Sequence, residues 1–293
     1  KGFLKSIKLI LRQLKERYQM SNIRRLVVNA DDFGRNEADD LAIIDSHKNG
    51  IVTATSVFST HGALSQSAKI LSAVPLLRVG VHLDMTSGKP VSAITSSVVT
   101  MDGEFAVQRT SESRSLSKIY SVTPCDLEAE FTEQIELFKK SGLVLGHLDN
   151  HRSEIYFNHS LFAVCVRLAA KYGVPFRTPF DKAFLSKSSE YSRLYGYPED
   201  QIIAIFERSL SLQSEYKIKS PDYFCKLTPD LYNPSNLVNW LGRLNPGTTE
   251  LCTHPGVGTE QARAELAVLT AAQVKDEIKR LGIQLVRPGC DHH

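Results

Sequence analysis

The chain has 293 residues, 42% of them hydrophobic and 23% charged, with a formal net charge of +3. That length exceeds the usual single domain but suits an α/β barrel, and the apolar content is enough for a large core. So small a charge leaves no electrostatic footprint for nucleic acid, and no helix-turn-helix, RNA-binding or zinc-finger spacing is present, so nucleic-acid partners are excluded.

Lys1 to Gln19 holds six basic residues and one acid, and places Phe3, Ile7, Ile10, Leu14 and Tyr18 on one helical face. Residues 1–20 read as a basic amphipathic extension ahead of a single domain over 21–293. Such a segment could lie on an anionic membrane surface, but packing on the domain or translation from an upstream start is the preferred reading. Its apolar runs are too short to span a bilayer, so no stable membrane insertion is expected.

The apolar run Leu26-Val27-Val28 then leads straight into Asn29-Ala30-Asp31-Asp32-Phe33-Gly34. Ionised carboxylates in tandem repel, so a strand end carrying two of them usually has a cation or a proton to share. The alternative is that one of them merely caps the next helix. Glu37 to Lys48 reads as that helix, closed by Asn49-Gly50. Ile51 to Phe58 reads as a strand rich in β-branched residues, and Ala63 to Ala73 as another helix. Arg78 to Asp84 is a second apolar strand, and it ends on His82. Residues 91–121 are Ser- and Thr-rich with little periodicity and read as a long insertion over the site.

Thr123-Pro124 opens a helix with Leu127, Phe131, Ile135 and Phe138 as its apolar stripe, stopped at Gly142. Leu143 to Leu148 is a third strand of the same design, running into His147-Leu148-Asp149-Asn150-His151. Ser160 to Tyr172 reads as helix, Val174 to Thr178 as strand, and Asp200 to Leu210 as helix. A last apolar strand, Glu250-Leu251-Cys252-Thr253, ends on His254 and is stopped by Pro255-Gly256.

Asp or His at the ends of separate strands is the pattern that carries chemistry. Two imidazoles and one carboxylate make a first shell for zinc or a similar divalent ion, with a position left open for water or substrate. Parallel α/β barrels place such a site at the carboxyl ends of their strands. No nucleophile elbow, P-loop or dinucleotide fingerprint follows a strand, which weakens serine-hydrolase and nucleotide-binding readings. Cys125, Cys165, Cys225, Cys252 and Cys290 are scattered and odd in number, as expected of reduced thiols in a cytoplasmic protein.

The ordered motifs Asn-Ala-Asp-Asp-Phe-Gly, Asn49 to Ser56, Val79-Gly80-Val81-His82-Leu83, His147 to His151 and Thr253-His254-Pro255-Gly256 resemble the YdjC-type carbohydrate deacetylases. These include chitooligosaccharide deacetylases and deacetylases associated with hopanoid biosynthesis. The resemblance runs from about Ile23 to about Leu285. It implies a distorted, TIM-like (β/α) barrel with fewer than eight regular units. It also implies a metal held by Asp32, His82 and His151, with Asp31 as general base and His254 as acid or transition-state stabiliser. The ion would be one divalent metal, zinc first, with magnesium or another divalent cation as substitutes.

The implied substrate is an N-acetylated sugar or oligosaccharide, deacetylated with release of acetate. Asp149, Arg152, Asp222 and Phe224 are the candidate sugar contacts, the last two within a Pro-Asp-x-Phe-like element at Pro221 to Phe224. Many members continue the third motif as His-x-Asp-x-His-His-His-x-His, whereas this chain reads His151-Arg152-Ser153-Glu154-Ile155. That departure points to a different glycan or acetyl position. It also keeps open a sugar-binding barrel altered in catalysis, and a metal hydrolase acting on a phosphoester or non-sugar amide. Oligomeric state is not fixed by the sequence, a homodimer being the commonest choice.

Overall fold

The computed structural model describes residues 22–93, 105, 122–179 and 187–290. The amphipathic extension and almost all of the 91–121 insertion lie outside the described residues. Seven strands are named in chain order: β1 (Arg24–Phe33), β2 (Ala54–Val57), β3 (Arg78–Leu83), β4 (Leu148–Asn150), β5 (Tyr223–Lys226), β6 (Gly247–Thr253) and β7 (Gln284–Leu285). All pair in parallel in the order β4-β3-β2-β1-β6-β5, and β7 adds to the first part of β1.

Beyond β4 the sheet continues to curl through hydrogen bonds with no regular strand. Leu148 N–H bonds to Pro175 O at 3.0 Å, Arg177 N–H to Leu148 O at 3.0 Å, and Phe176 N–H to Lys219 O at 3.0 Å. The expected strand over Val174 to Thr178 is therefore a single bridge, Leu148 to Phe176. The result is the distorted barrel anticipated from the sequence, with fewer than eight strands among the described residues.

Helices cover the outer face: α1 (Glu37–Lys48), α2 (Leu64–Ser72), α3 (Pro124–Lys140), α4 (His159–Tyr172), α5 (Ser188–Tyr195), α6 (Glu199–Glu215), α7 (Pro234–Leu241), α8 (Glu260–Thr270) and α9 (Ala272–Arg280). Their starts follow capping chemistry. Asn36, Thr123, Asn158 and Thr259 accept first-turn N–H groups of α1, α3, α4 and α8, and Pro124 occupies the first turn of α3. Among the described residues no helix is long and apolar enough to cross a membrane.

Side chains alternate across each strand, and here the two faces differ in chemistry. Leu26, Val28, Ala30, Val81, Leu148 and Leu251 belong to the buried apolar cluster, which includes Phe131 and Phe138 of α3 and Phe162 and Val166 of α4. The intervening Asn29, Asp31, His82, Asp149, Glu250 and Cys252 are buried too, linked by direct contacts or, for Glu250, through Arg177. Hydrophobic burial thus holds helices to sheet, while the inward face of the barrel is polar.

Two expected strands are shorter than their apolar runs. β2 spans Ala54–Val57 only, and Leu143 to His147 has no strand geometry, with Val144 76% exposed. Gly80 of β3 faces the buried ring of His147, just before β4, and ring atoms lie 2.5 Å from where a Cβ on Gly80 would stand. Gly80→Ala is therefore expected to cost about 1–3 kcal/mol of stability by overpacking. Urea denaturation of the purified variant checks this, and an unchanged midpoint would contradict the packing described.

Candidate active site

Consecutive residues of a strand normally face opposite ways, yet Asp31 and Asp32 serve one site. Asp32 has φ +72°, and the β1–β2 register shifts between Ala30 and Phe33. The bulge turns the second carboxylate back toward the strand end. A left-handed backbone at a non-glycine residue costs about 1–2 kcal/mol, a strain typical of functional positions. Asp40 braces the turn from α1 by accepting Gly34 N–H at 2.7 Å, and burial pushes its carboxyl up to about 6.

Asp32 Oδ1 is buried and has no hydrogen-bond partner. It lies 3.3 Å from His82 Nε2 and 3.9 Å from His151 Nε2. Each imidazole is held from behind by a carboxylate: His82 Nδ1 is 2.6 Å from Asp149 Oδ1, and His151 Nδ1 is 3.0 Å from Asp84 Oδ1. Those partners place a proton on each Nδ1 and aim both Nε2 atoms at Asp32. Burial opposes charge on His82, but Asp149, Asp31 and Asp32 outweigh it and raise its pKa to about 10. Asp32 Oδ2 pairs with Arg35 Nη1 at 3.1 Å at the mouth of the site. An orphaned carboxylate oxygen between two braced imidazole nitrogens is a donor set that fits one divalent cation.

Asp31 is saturated with donors. Arg177 Nη1 and Nη2 bond its two oxygens at 2.7 Å each, Asn29 Nδ2 bonds Oδ1 at 2.8 Å, and the Cys252 thiol donates to Oδ2 at 3.2 Å. Burial favours its neutral form, yet Arg177 and His82 prevail and hold it ionised below the ordinary carboxylate range. Arg177 also donates from Nε to Glu250 Oε1 at 2.5 Å and stands 3.1 Å from Asp149 Oδ2. No sequence signal marked Arg177, because a lone Arg within an expected strand carries no motif. Burial raises the Glu250 carboxyl despite its bond to Arg177.

His254 follows β6, with Nε2 4.0 Å from Asp31 Oδ2 and its side chain 40% exposed. Its loop is fixed twice over: His254 N–H bonds to the buried Glu265 at 2.5 Å, and Asp39 Oδ1 accepts N–H from Val257 at 2.7 Å and Gly258 at 3.2 Å. Asp31, Cys252 and His254 bring donor atoms within 4.8 Å of one another. Burial and the Asp31 charge push the Cys252 thiol well above its ordinary value, which favours its role as a hydrogen-bond donor to Asp31.

The four candidate sugar contacts separate. Asp149 is fully buried behind His82, with Oδ1 2.6 Å from His82 Nδ1. Asp222 accepts Thr248 N–H at 2.9 Å at the amino end of β6, the end away from His254. Phe224 lies half-buried on β5, with the Arg177 guanidinium 5.8 Å from its ring centre. Arg152 is half-buried directly after His151. The structure adds His61, unmarked in the sequence, stacked 4.4 Å from Phe58, whose ring edges onto His82 and His151. Burial lowers the His61 pKa, so its imidazole is neutral, and with Nε2 3.0 Å from Ser87 Oγ its other ring nitrogen is left for a hydroxyl.

A family model described as YdjC-like protein matches residues 25–280. A carbohydrate deacetylase of Halalkalibacterium halodurans is 35% identical over 156 residues, covering 53% of this chain and 64% of that relative. A carbohydrate deacetylase of Brevibacillus brevis is 26% identical over 279 residues, covering 89% of this chain and 97% of the relative. The fold matches a crystal structure from Enterococcus faecalis V583, provisionally named for cellobiose-phosphate cleavage, with TM-score 0.71 and 23% identity over 90% of this chain and 97% of that one.

Arg177→Met would leave three buried carboxylates without their counter-charge. A loss of about 3–5 kcal/mol is expected from breaking such a buried pair. Urea denaturation at neutral pH measures it, and a loss below about 1 kcal/mol, the range of an exposed pair, would refute the organising role.

Proposed function

Because the chain belongs to the YdjC-like protein family, we propose that it is a metal-dependent hydrolase that removes the N-acetyl group of an N-acetylated sugar or oligosaccharide, releasing acetate. The observation that carries this reading is the orphaned Asp32 Oδ1 facing two carboxylate-braced imidazoles, with Asp31 and His254 beside them. The names of the Halalkalibacterium and Brevibacillus relatives support the choice of bond.

Asp32, His82 and His151 would hold the ion, zinc in the first instance. A divalent cation there supplies Lewis acidity, polarising an acyl oxygen and acidifying water. Asp31 is the proton acceptor. Its Oδ2 faces His254, and the weak thiol bond from Cys252 is the one a water molecule can most easily displace. A base held ionised below the ordinary range suits an acidified water better than bulk water.

As the water oxygen bonds to the acetyl carbon, its proton passes to Asp31 Oδ2. His254, partly exposed and within 4.0 Å of that oxygen, then protonates the amide nitrogen as the carbon–nitrogen bond breaks. Arg177 keeps Asp31 in register through both steps. At the mouth, Arg35 and His61 are the groups nearest the proposed ligands, which suits a glycan other than one read by a run of histidines. Five free cysteines suit a reducing compartment such as the cytoplasm.

Acetate release from a panel of N-acetylated mono- and oligosaccharides, using metal-stripped protein with and without zinc, tests the reading. Zinc-dependent release is expected, with Asp31→Asn slower by about 10²–10⁴-fold. Wild-type turnover in Asp31→Asn would refute the base. Silence across the panel at full metal occupancy would favour another scissile bond or a sugar binder without catalysis.

A further inference from the structure

We propose that Gln134 of α3 is a positioning residue for the metal centre, acting through Asp84 on His151; this rests on the reading of Asp32, His82 and His151 as ligands. The two ligand imidazoles are braced in different ways. Asp149, behind His82, sits within β4, paired with His82 itself in the sheet register. Asp84, behind His151, lies one residue past the end of β3, where the last paired residues are Leu83 and Asn150. Its backbone has no strand to hold it.

A side chain takes the place of that strand. Gln134 Oε1 accepts Asp84 N–H at 3.0 Å, and Gln134 Nε2 donates to Asp84 O at 2.5 Å, the two bonds a neighbouring strand would make. Gln134 is completely buried. Its amide cannot flip, because Nε2 also donates at 2.8 Å to Glu130 Oε1 one helical turn earlier, and both of its partners are acceptors only. Glu130 is anchored in turn by Val91 N–H at 2.9 Å and Ser92 N–H at 2.8 Å. A buried Glu and Gln interrupt the apolar face of α3, positions that packing alone would fill with Leu or Phe.

What the amide fixes is the aim of one carboxylate. Asp84 Oδ1 accepts Thr86 N–H at 2.8 Å and Thr86 Oγ1–H at 2.7 Å, and stands 3.0 Å from His151 Nδ1, while Oδ2 accepts from Ser87 Oγ. Rotation of the Asp84 backbone carries Oδ1 away from the imidazole and frees His151 to turn its Nε2 off Asp32. Gln134 thereby sets the orientation of a ligand it never touches.

Zinc titration by calorimetry into metal-stripped wild type, Gln134→Met, Asp84→Asn and the double variant tests this. Each single variant is expected to bind zinc about 10–100-fold more weakly. The double should be no weaker than Asp84→Asn alone, since both act through one imidazole. If Gln134→Met does not fold, Gln134→Glu keeps the acceptor and loses the donor, and a smaller loss is expected. Wild-type zinc affinity in a folded Gln134 variant, or losses that multiply in the double, would overturn the proposal and assign Gln134 to stability alone. A wild type whose zinc binding is unaffected by His82→Ala would instead overturn the ligand reading, and the inference with it.

Discussion

The Arg177 guanidinium is the interaction on which this site depends. It meets Asp31, Asp149 and Glu250 inside a barrel where each of the four is at least nine-tenths buried. Burying a charge without a partner is prohibitive, and a shared counter-ion makes three carboxylates tolerable in one place. Two consequences follow for chemistry. Asp31 stays ionised, as the proposed base requires, and Asp149 stays ionised against His82 Nδ1.

The rest of the architecture serves that polar interior. Apolar side chains on the outer face of the strands fasten the helices and provide the burial that stabilises the fold, so the inward face is released from packing duty. Loops at the carboxyl ends of the strands are then joined to each other. Asp39, at the start of α1, holds the loop that carries His254, while Glu265 of α8 holds the His254 backbone itself. The strained turn at Asp32 and the acid loop are therefore parts of one rigid rim, as a preorganised site requires.

Much of this was legible in the residues. The helix over Glu37 to Lys48 matched its expected bounds because Asn36 caps it and Asn49-Gly50 ends it, both local signals. Asp31, Asp32, His82, His151 and His254 do converge, since each sits at or beyond a strand end and strand ends of a parallel barrel meet. What was not legible is long-range. Arg177 acts on residues up to 146 positions away, and no local pattern encodes that. Asp149 read as a sugar contact because it stands between two motif histidines, but strand alternation turns it inward against His82. Asp222 was read from a motif-like neighbourhood, while its register with β6 puts it at the opposite end of the barrel. The apolar run at Leu143 to Leu145 looked like strand, yet the chain joins β3 only from Gly146, whose N–H bonds to Val79 O at 2.8 Å, and regular strand begins at Leu148.

The central claim is that the catalytic ion is held by oxygen and imidazole nitrogen, from Asp32, His82 and His151, with the Cys252 thiol kept protonated beside the base. X-ray absorption at the zinc edge of the metal-loaded protein tests it most directly. The account predicts a shell of nitrogen and oxygen at about 2.0–2.2 Å with the multiple-scattering signature of two imidazoles. A sulfur scatterer at about 2.3 Å would place the ion on Cys252 and contradict the account.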